Sequence, residues 1–281
     1  MTRQTGSTLI QEIGVDHPMV SYLTGSTPFF ASRADPRWSY VLHVPTAHRG
    51  ERPLSLLVTV HGANRTAEKY RDLFVDFSEA NDCVVLAPLF PMSIADLSSV
   101  HNLKEIEFDG TRFDQALLDM VDEVAEGWGL DAQRFGLFGF SAGGQFAHRF
   151  LMLHPERLAA VSVGAPGRLT RPDPSIPWPD GLGGVTEQFG ITPDLAALKA
   201  VAVQTVVGGS DTELSATAGR LDQQPAVVRT RVDNARLLSE DLSALGVDAE
   251  FALVPGVEHV TELVAPAVKE FFLRRFIRSR D

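Results

Sequence analysis

The run Gly139-Phe140-Ser141-Ala142-Gly143-Gly144 constrains this chain more than any other segment. Ahead of it lie residues 134–138, short, apolar and strand-like. Behind it, residues 145–153 carry the apolar spacing of a helix. A strand that turns straight into a helix brings two backbones into contact, so the corner needs residues without bulk. Gly139, Gly143 and Gly144 provide that. The apex side chain is pushed outward, and here it is a serine hydroxyl. The N–H groups that open the helix have no carbonyl partners within it and face the same spot. Taken alone, the pattern also fits an ordinary glycine-rich turn with a helix-capping serine. The rest of the chain separates the two readings.

Short β-branched or apolar runs recur at 39–44, 54–60, 83–88, 134–138, 158–163, 201–207 and 249–254. Between many of them, residues 67–80, 114–126, 145–153 and 231–245 show three- and four-residue apolar spacing, and 260–278 reads as a final helix. Strands alternating with helices define the α/β class. The expected architecture is a mostly parallel, doubly wound sheet of about eight strands with helices on both faces. Runs 54–60 and 83–88 are apolar nearly throughout, which suits central strands covered on both sides. A length of 281 residues with 44% hydrophobic content fits one domain over 1–281. Residues 1–37 read as an N-terminal arm or edge element. Residues 168–193 hold five prolines with Trp178, Gly181, Gly183 and Gly184. Counted to residue 200, they form a lid-like excursion, either a pocket wall or a plain surface connection. Residues 212–230 are irregular as well.

The formal net charge is −11 and no basic block appears, so nucleic acid and anionic membranes are poor partners. The one cysteine, Cys83, sits in an apolar run and reads as a small core residue. The first residues lead into no adequate apolar stretch and no run reaches a transmembrane length, so a cytoplasmic location is expected. No His/Cys spacing suggests zinc and no phosphate-binding loop is present, so neither metal nor cofactor is expected. A homo-oligomer is compatible with all of this.

An outward serine is useful for acyl transfer when three groups join it: a base for its proton, an acid to orient that base, and N–H donors for the oxyanion. In a doubly wound sheet these should follow the carboxyl ends of strands. His259, in Pro255-Gly256-Val257-Glu258-His259, follows a strand and precedes the last helix, and histidine titrates near neutrality. Asp211, after Gly208-Gly209-Ser210, also follows a strand and a glycine turn; its rival reading is a loop cap, and Glu213 and Glu258 compete as acids. The chain order Ser141, Asp211, His259 is the one this fold uses. On the oxyanion side lies His61-Gly62-Ala63-Asn64-Arg65, directly after run 54–60. The expected donors are the N–H groups of Ala142 and Ala63, with His61 bracing the loop. Asn64, Arg65 and Phe140 are candidates for touching substrate, and His148 is read as structural.

These segments resemble the α/β-hydrolase superfamily over roughly Trp38 to the C-terminus. The likeness rests on Val60-His61-Gly62, on Asp131 to Gly144, on Gly208 to Asp211 and on Gly256 to His259. The G-F-S-A-G-G form with its Asp-x-x-Arg lead-in is similar to polyhydroxybutyrate-depolymerase-like and dienelactone-hydrolase-like esterases. The resemblance implies a serine esterase acting through an acyl-enzyme on small or oligomeric esters. Amidase, peptidase, polyester-oligomer hydrolase, and cofactor-free lyase or perhydrolase activity are the alternatives on the same fold. Two departures narrow it: dienelactone hydrolases are expected to use cysteine, and haloalkane dehalogenases aspartate, where this chain has Ser141.

Overall fold

The computed structural model, which describes residues 7–94, 102–214 and 229–278, gathers the strand runs into one sheet. In chain order the elements are α1 (Leu9–Ile13), β1 (Gly25–Ser26), β2 (Phe30–Ala31), β3 (Ser39–Val44), β4 (Ser55–Val60), α2 (Ala67–Asp72), α3 (Val75–Asn81) and β5 (Cys83–Leu89). There follow β6 (Glu107–Phe108), β7 (Thr111–Arg112), α4 (Phe113–Trp128), β8 (Phe135–Phe140), α5 (Ala142–Leu153) and β9 (Leu158–Gly164). The chain closes with α6 (Val185–Phe189), β10 (Ala202–Gly208), α7 (Arg231–Ala244), β11 (Ala249–Val254) and α8 (Thr261–Phe272). The irregular stretch expected over 212–230 falls largely outside the described residues.

The sheet order is β1-β3-β5-β4-β8-β9-β10-β11, with β2 also on β3. From β4 and β5 through β11 every pairing is parallel; β1, β2 and β5 meet β3 antiparallel. The short strands β1 and β2 from the N-terminal arm thus cap one edge, and β6–β7 form a separate hairpin leading to α4. The chain runs from β4 to β5 in one direction, then crosses back over β4 to β8 and continues outward. The carboxyl ends of β4 and β8 therefore flank the point where the winding reverses, the place where ligands bind in doubly wound sheets.

Side-chain alternation builds a core on each face. From β4, Leu56, Val58 and Val60 join the α4 and α5 side, while Leu57 joins the side of α2, α3 and α8. From β8, Phe135 and Leu137 face the first layer, and Phe138 and Phe140 the second. Burial on both faces is why these strands read as continuous apolar runs.

Two helices differ from expectation. The helix expected over 67–80 is broken: Phe74 N–H bonds back to Arg71 O at 3.0 Å in a tight turn. That turn drives the Phe74 ring into the core, 5.5 Å from the Phe138 centroid, and this packing outweighs helix continuity. The last helix stops at Phe272 and continues as a wider turn, Leu273–Ile277, which brings Phe276 fully into the core.

The proline-rich excursion is pinned in place. Arg168 pairs with Asp180 at 2.7 Å, Arg171 ties it to Asp241 of α7 at 2.7 Å, and Trp178 packs edge-on to Phe189 with ring centroids 5.0 Å apart.

Candidate active site

At the carboxyl end of β8, Ser141 adopts φ 59° and ψ −112°, a conformation a side chain rarely tolerates. Such a residue costs on the order of 1–3 kcal/mol and must be held by its surroundings. Ser141 N–H donates to Gly164 O at 2.9 Å on β9, and its carbonyl accepts from Gln145 N–H at 3.0 Å as α5 begins. The corner leaves no room beyond hydrogen: a Cβ on Gly143 would lie 2.2 Å from Val60 O, and one on Gly144 2.2 Å from Gly164 O. The first turn of α5 therefore rests directly on the ends of β4 and β9. This contact sets the His61–Arg65 loop beside the serine, so that a Cβ on Gly62 would meet Ser141 Cβ at 3.8 Å.

His61 is fully buried. Its Nδ1 donates to Gly62 O at 2.8 Å and its Nε2 accepts Phe90 N–H at 3.0 Å. Burial lowers its pKa to about 4, so the ring is neutral with both nitrogens engaged. It braces the loop and has no free nitrogen for proton transfer. Ala63 and Ala142 stand on the two sides of the corner, at the loop and at the first position of α5. Asn64 is exposed. Arg65 turns inward, donating to Ala63 O and, at 3.1 Å, to Asn102 Oδ1. The sequence placed Arg65 among the substrate contacts; in the structure it ties the loop to the turn Asn102–Glu105.

The acid and the base meet across two strand ends. A Cβ on Gly208 would fall 2.3 Å from Val257 O and 2.4 Å from Glu258 O, so the end of β10 lies against the loop after β11. Gly209 N–H to Val254 O and Ser210 N–H to Val257 O, both 2.8 Å, staple the two together. His259 Nδ1 donates to Asp211 Oδ2 at 2.5 Å. The Asp211 side chain is fully buried, while that of His259 is 30% exposed, with Nε2 as its remaining nitrogen. Glu213 is 85% exposed and Glu258 is exposed, so Asp211 is the carboxylate that reaches the ring. Phe140 is 2% exposed, and its ring lies 4.8 Å from that of His259. It supports the imidazole from the core and presents little surface to a substrate. That same contact brings His259 alongside the residue preceding Ser141.

Three side chains that the sequence did not single out complete the surroundings. Arg231, at the start of α7, donates Nη1 to Asp211 Oδ1 at 3.1 Å. Tyr70 of α2 shares a hydrogen bond of 3.2 Å with Thr261 Oγ1, two residues past His259, and its hydroxyl abuts Gly62. Burial raises its pKa to about 12, against hydrogen bonds from Thr261 and the Gly62 backbone. Lys104 lies buried beside the Arg65 anchor. None of these carries a local motif; each is joined to the site only by the fold. His148 is buried with Nδ1 on Gly144 O at 3.0 Å and Nε2 taking Thr170 N–H at 2.9 Å, a structural role. Among the described residues no group of His, Cys, Asp and Glu is placed to hold a metal ion, and no helix is long and apolar enough to cross a membrane.

No family model matches the sequence, and no curated protein matches it at a significant level. Solved structures do match. The chain is similar to poly(aspartic acid) hydrolase-1 from Sphingomonas sp. KT-1, at 22% identity and a TM-score of 0.69, covering 88% of this chain and 98% of that one. It is similar to a poly(3-hydroxybutyrate) depolymerase from Bordetella parapertussis, at 22% identity and 0.70, over 91% and 93%. An S-formylglutathione hydrolase from Staphylococcus aureus follows at 16% and 0.59, over 88% and 96%. The strand order, the crossing point and these neighbours define the α/β-hydrolase fold.

Proposed function

We propose that this protein is a serine hydrolase of carboxylic esters. The observation that carries the reading is the buried Asp211 hydrogen-bonded to His259, whose ring packs on Phe140, the residue before the backbone-strained Ser141. Ser141 Oγ attacks the ester carbonyl while His259 Nε2 takes its proton. Asp211 holds the ring by Nδ1 and stabilises its cationic form. The Ala142 and Ala63 N–H groups receive the oxyanion; losing one such donor typically costs about 10²–10³ in turnover. The proton returns through His259 to the leaving alcohol, giving an acyl-serine that water cleaves by the same steps in reverse order.

Esterases are prominent among the structural neighbours, which supports the ester reading. The neighbour named for poly(aspartic acid) keeps an amidase reading open, since the triad chemistry is shared and the leaving group alone differs. Matched p-nitrophenyl esters and anilides separate the two: the expected result is ester turnover without anilide turnover. A fluorophosphonate should label Ser141, as read by peptide mass spectrometry, and Ser141→Ala should lose both label and activity, by about 10⁶-fold in turnover. Labelling at another residue, or neither labelling nor turnover, overturns the assignment.

A further inference from the structure

The buried arginines Arg71 and Arg149 serve the main chain: Arg71 donates Nη1 to Thr27 O at 2.8 Å, and Arg149 donates to Lys104 O. Arg231 does not. Its partners among the described residues are two carboxylates, Asp211 Oδ1 at 3.1 Å and Glu213 Oε2 at 3.5 Å. Its side chain is 17% exposed, and its Nε is buried with no hydrogen-bond acceptor among the described residues. Buried donors are nearly always satisfied. A guanidinium left one acceptor short, with only carboxylates for company, is placed for its charge.

The fold fixes where that charge stands. Thr230 Oγ1 accepts Asp233 N–H at 3.1 Å, which starts α7 at Arg231. One turn on, Asn234 donates Nδ2 to Gly167 O at 2.7 Å and to Pro166 O at 3.3 Å. Those carbonyls follow β9, whose last residue, Gly164, accepts Ser141 N–H. The first turn of α7 is therefore tied to the loop after β9, and Arg231 takes the oxygen of Asp211 that His259 leaves open. One buried carboxylate lies between a permanent cation and a ring that becomes cationic in the proposed reaction. The other charges about this group are Glu213 and Glu258, both exposed, and the Lys69–Glu262 pair joining α2 to α8. Lys104 adds a like charge within electrostatic reach of Arg231. Water screens the exposed charges more than it screens Arg231.

We propose that Arg231 is a positioning residue that divides the charge of Asp211 and so sets the lower pH limit of activity. The proposal rests on the reading of Ser141, His259 and Asp211 as a triad. A carboxylate shared with a guanidinium attracts an imidazolium less, and the guanidinium itself repels one. The ring then stays able to take the Ser141 proton further into acid, and it returns that proton to the leaving alcohol more readily. A salt bridge that only held Asp211 in place would leave the pH profile where it is.

The test is kcat/KM for a neutral ester, ethyl butanoate, measured by released ethanol from about pH 5 to pH 9 in the wild type and three variants. Arg231→Met removes both bond and charge, Arg231→Gln removes the charge and keeps a polar donor, and Arg231→Lys keeps the charge. The acid limb of the profile should move up by about 0.5–1 pH unit in the Met and Gln variants and stay near its wild-type position in the Lys variant. A limb that stays put in the uncharged variants, while kcat falls equally at every pH, overturns the proposal. So does a limb that moves as far with Lys as with Met. Far-UV circular dichroism checks folding; should Arg231→Met not fold, Arg231→Gln and Arg231→Lys decide by the same comparison. Fluorophosphonate labelling of the wild type separates the two levels. A labelled, ester-active enzyme whose acid limb ignores Arg231 refutes this inference only; an unlabelled, inactive one refutes the hydrolase reading and this inference with it.

Discussion

Asp211 shows how much of a site can depend on the second oxygen of one carboxylate. Oδ2 holds His259 and Oδ1 holds Arg231, so the side chain has little freedom to rotate about its last bond. A free carboxylate would pay rotational entropy each time it oriented the ring; this one has paid it on folding. Asp211→Asn preserves shape and offers Nδ1 an amide that can present the wrong partner atom. The expected loss is about 10⁴ in kcat with the fold retained, checked by steady-state kinetics beside far-UV circular dichroism. If Glu213→Gln or Glu258→Gln produces that loss instead, the acid is misassigned.

Between elements, struts built on buried side chains hold the fold together. Tyr70 joins α2, the Gly62 loop and the start of α8 through a single hydroxyl. Tyr70→Phe keeps the ring in its place near Phe138 and removes that link. It should lower stability by about 1 kcal/mol and kcat by several-fold, seen in urea melts and neutral-ester kinetics. An unchanged kcat would leave Tyr70 a packing residue and nothing more. A second strut clamps the start of α4 to the end of α5: Asp114, fully buried, takes Arg112 Nη2 at 2.6 Å and His154 Nε2 at 2.8 Å. Burial alone would raise this carboxyl; hydrogen bonds and charge from Arg112 and His154 outweigh it and lower the pKa to about 2, from 3.8. Because the folded value is the lower one, the clamp stabilises fully above pH 3.8 and is lost as pH falls through 2. It contributes about 2 kcal/mol over that window. Asp114→Asn should flatten the pH dependence of unfolding between those values, as measured by denaturant titration.

For the molecule as a whole, acid sensitivity begins well above that range. His61 and His148 are buried neutral, their pKa values lowered by burial from 6.5 to about 4 and about 3. Below pH 6.5 the unfolded chain binds protons that the native state refuses, so stability falls steadily as pH drops toward 4. The urea midpoint should track this decline, and His148→Gln should shallow it; a midpoint constant from neutrality to pH 4 would contradict the buried-neutral assignment. The sheet itself was legible in the sequence: the doubly covered β4 and β5 are apolar nearly throughout, and runs 39–44 and 249–254 match β3 and β11 end to end. The positions of Ser141, Asp211 and His259 just past the ends of β8, β10 and β11 were legible because glycines mark each of those corners. The break at Phe74 was not, since no glycine or proline announces it and the core alone demands it. Nor were Arg231 and Tyr70: their partners Asp211 and Thr261 lie many residues away, and periodicity reports only which face a residue occupies. The tie between Arg65 and Asn102 was not legible either, since only the fold brings the two together.

The press of Gly208 against the carbonyls of Val257 and Glu258 has a temporal consequence. The elbow at Ser141 is complete once β8, β4 and β9 are together, but Asp211 and His259 come into register only when β11 has docked on β10. On the proposed function, the reactivity of Ser141 reports the final stage of assembly. During refolding, the rate of fluorophosphonate capture at Ser141 should then lag behind the return of helical ellipticity.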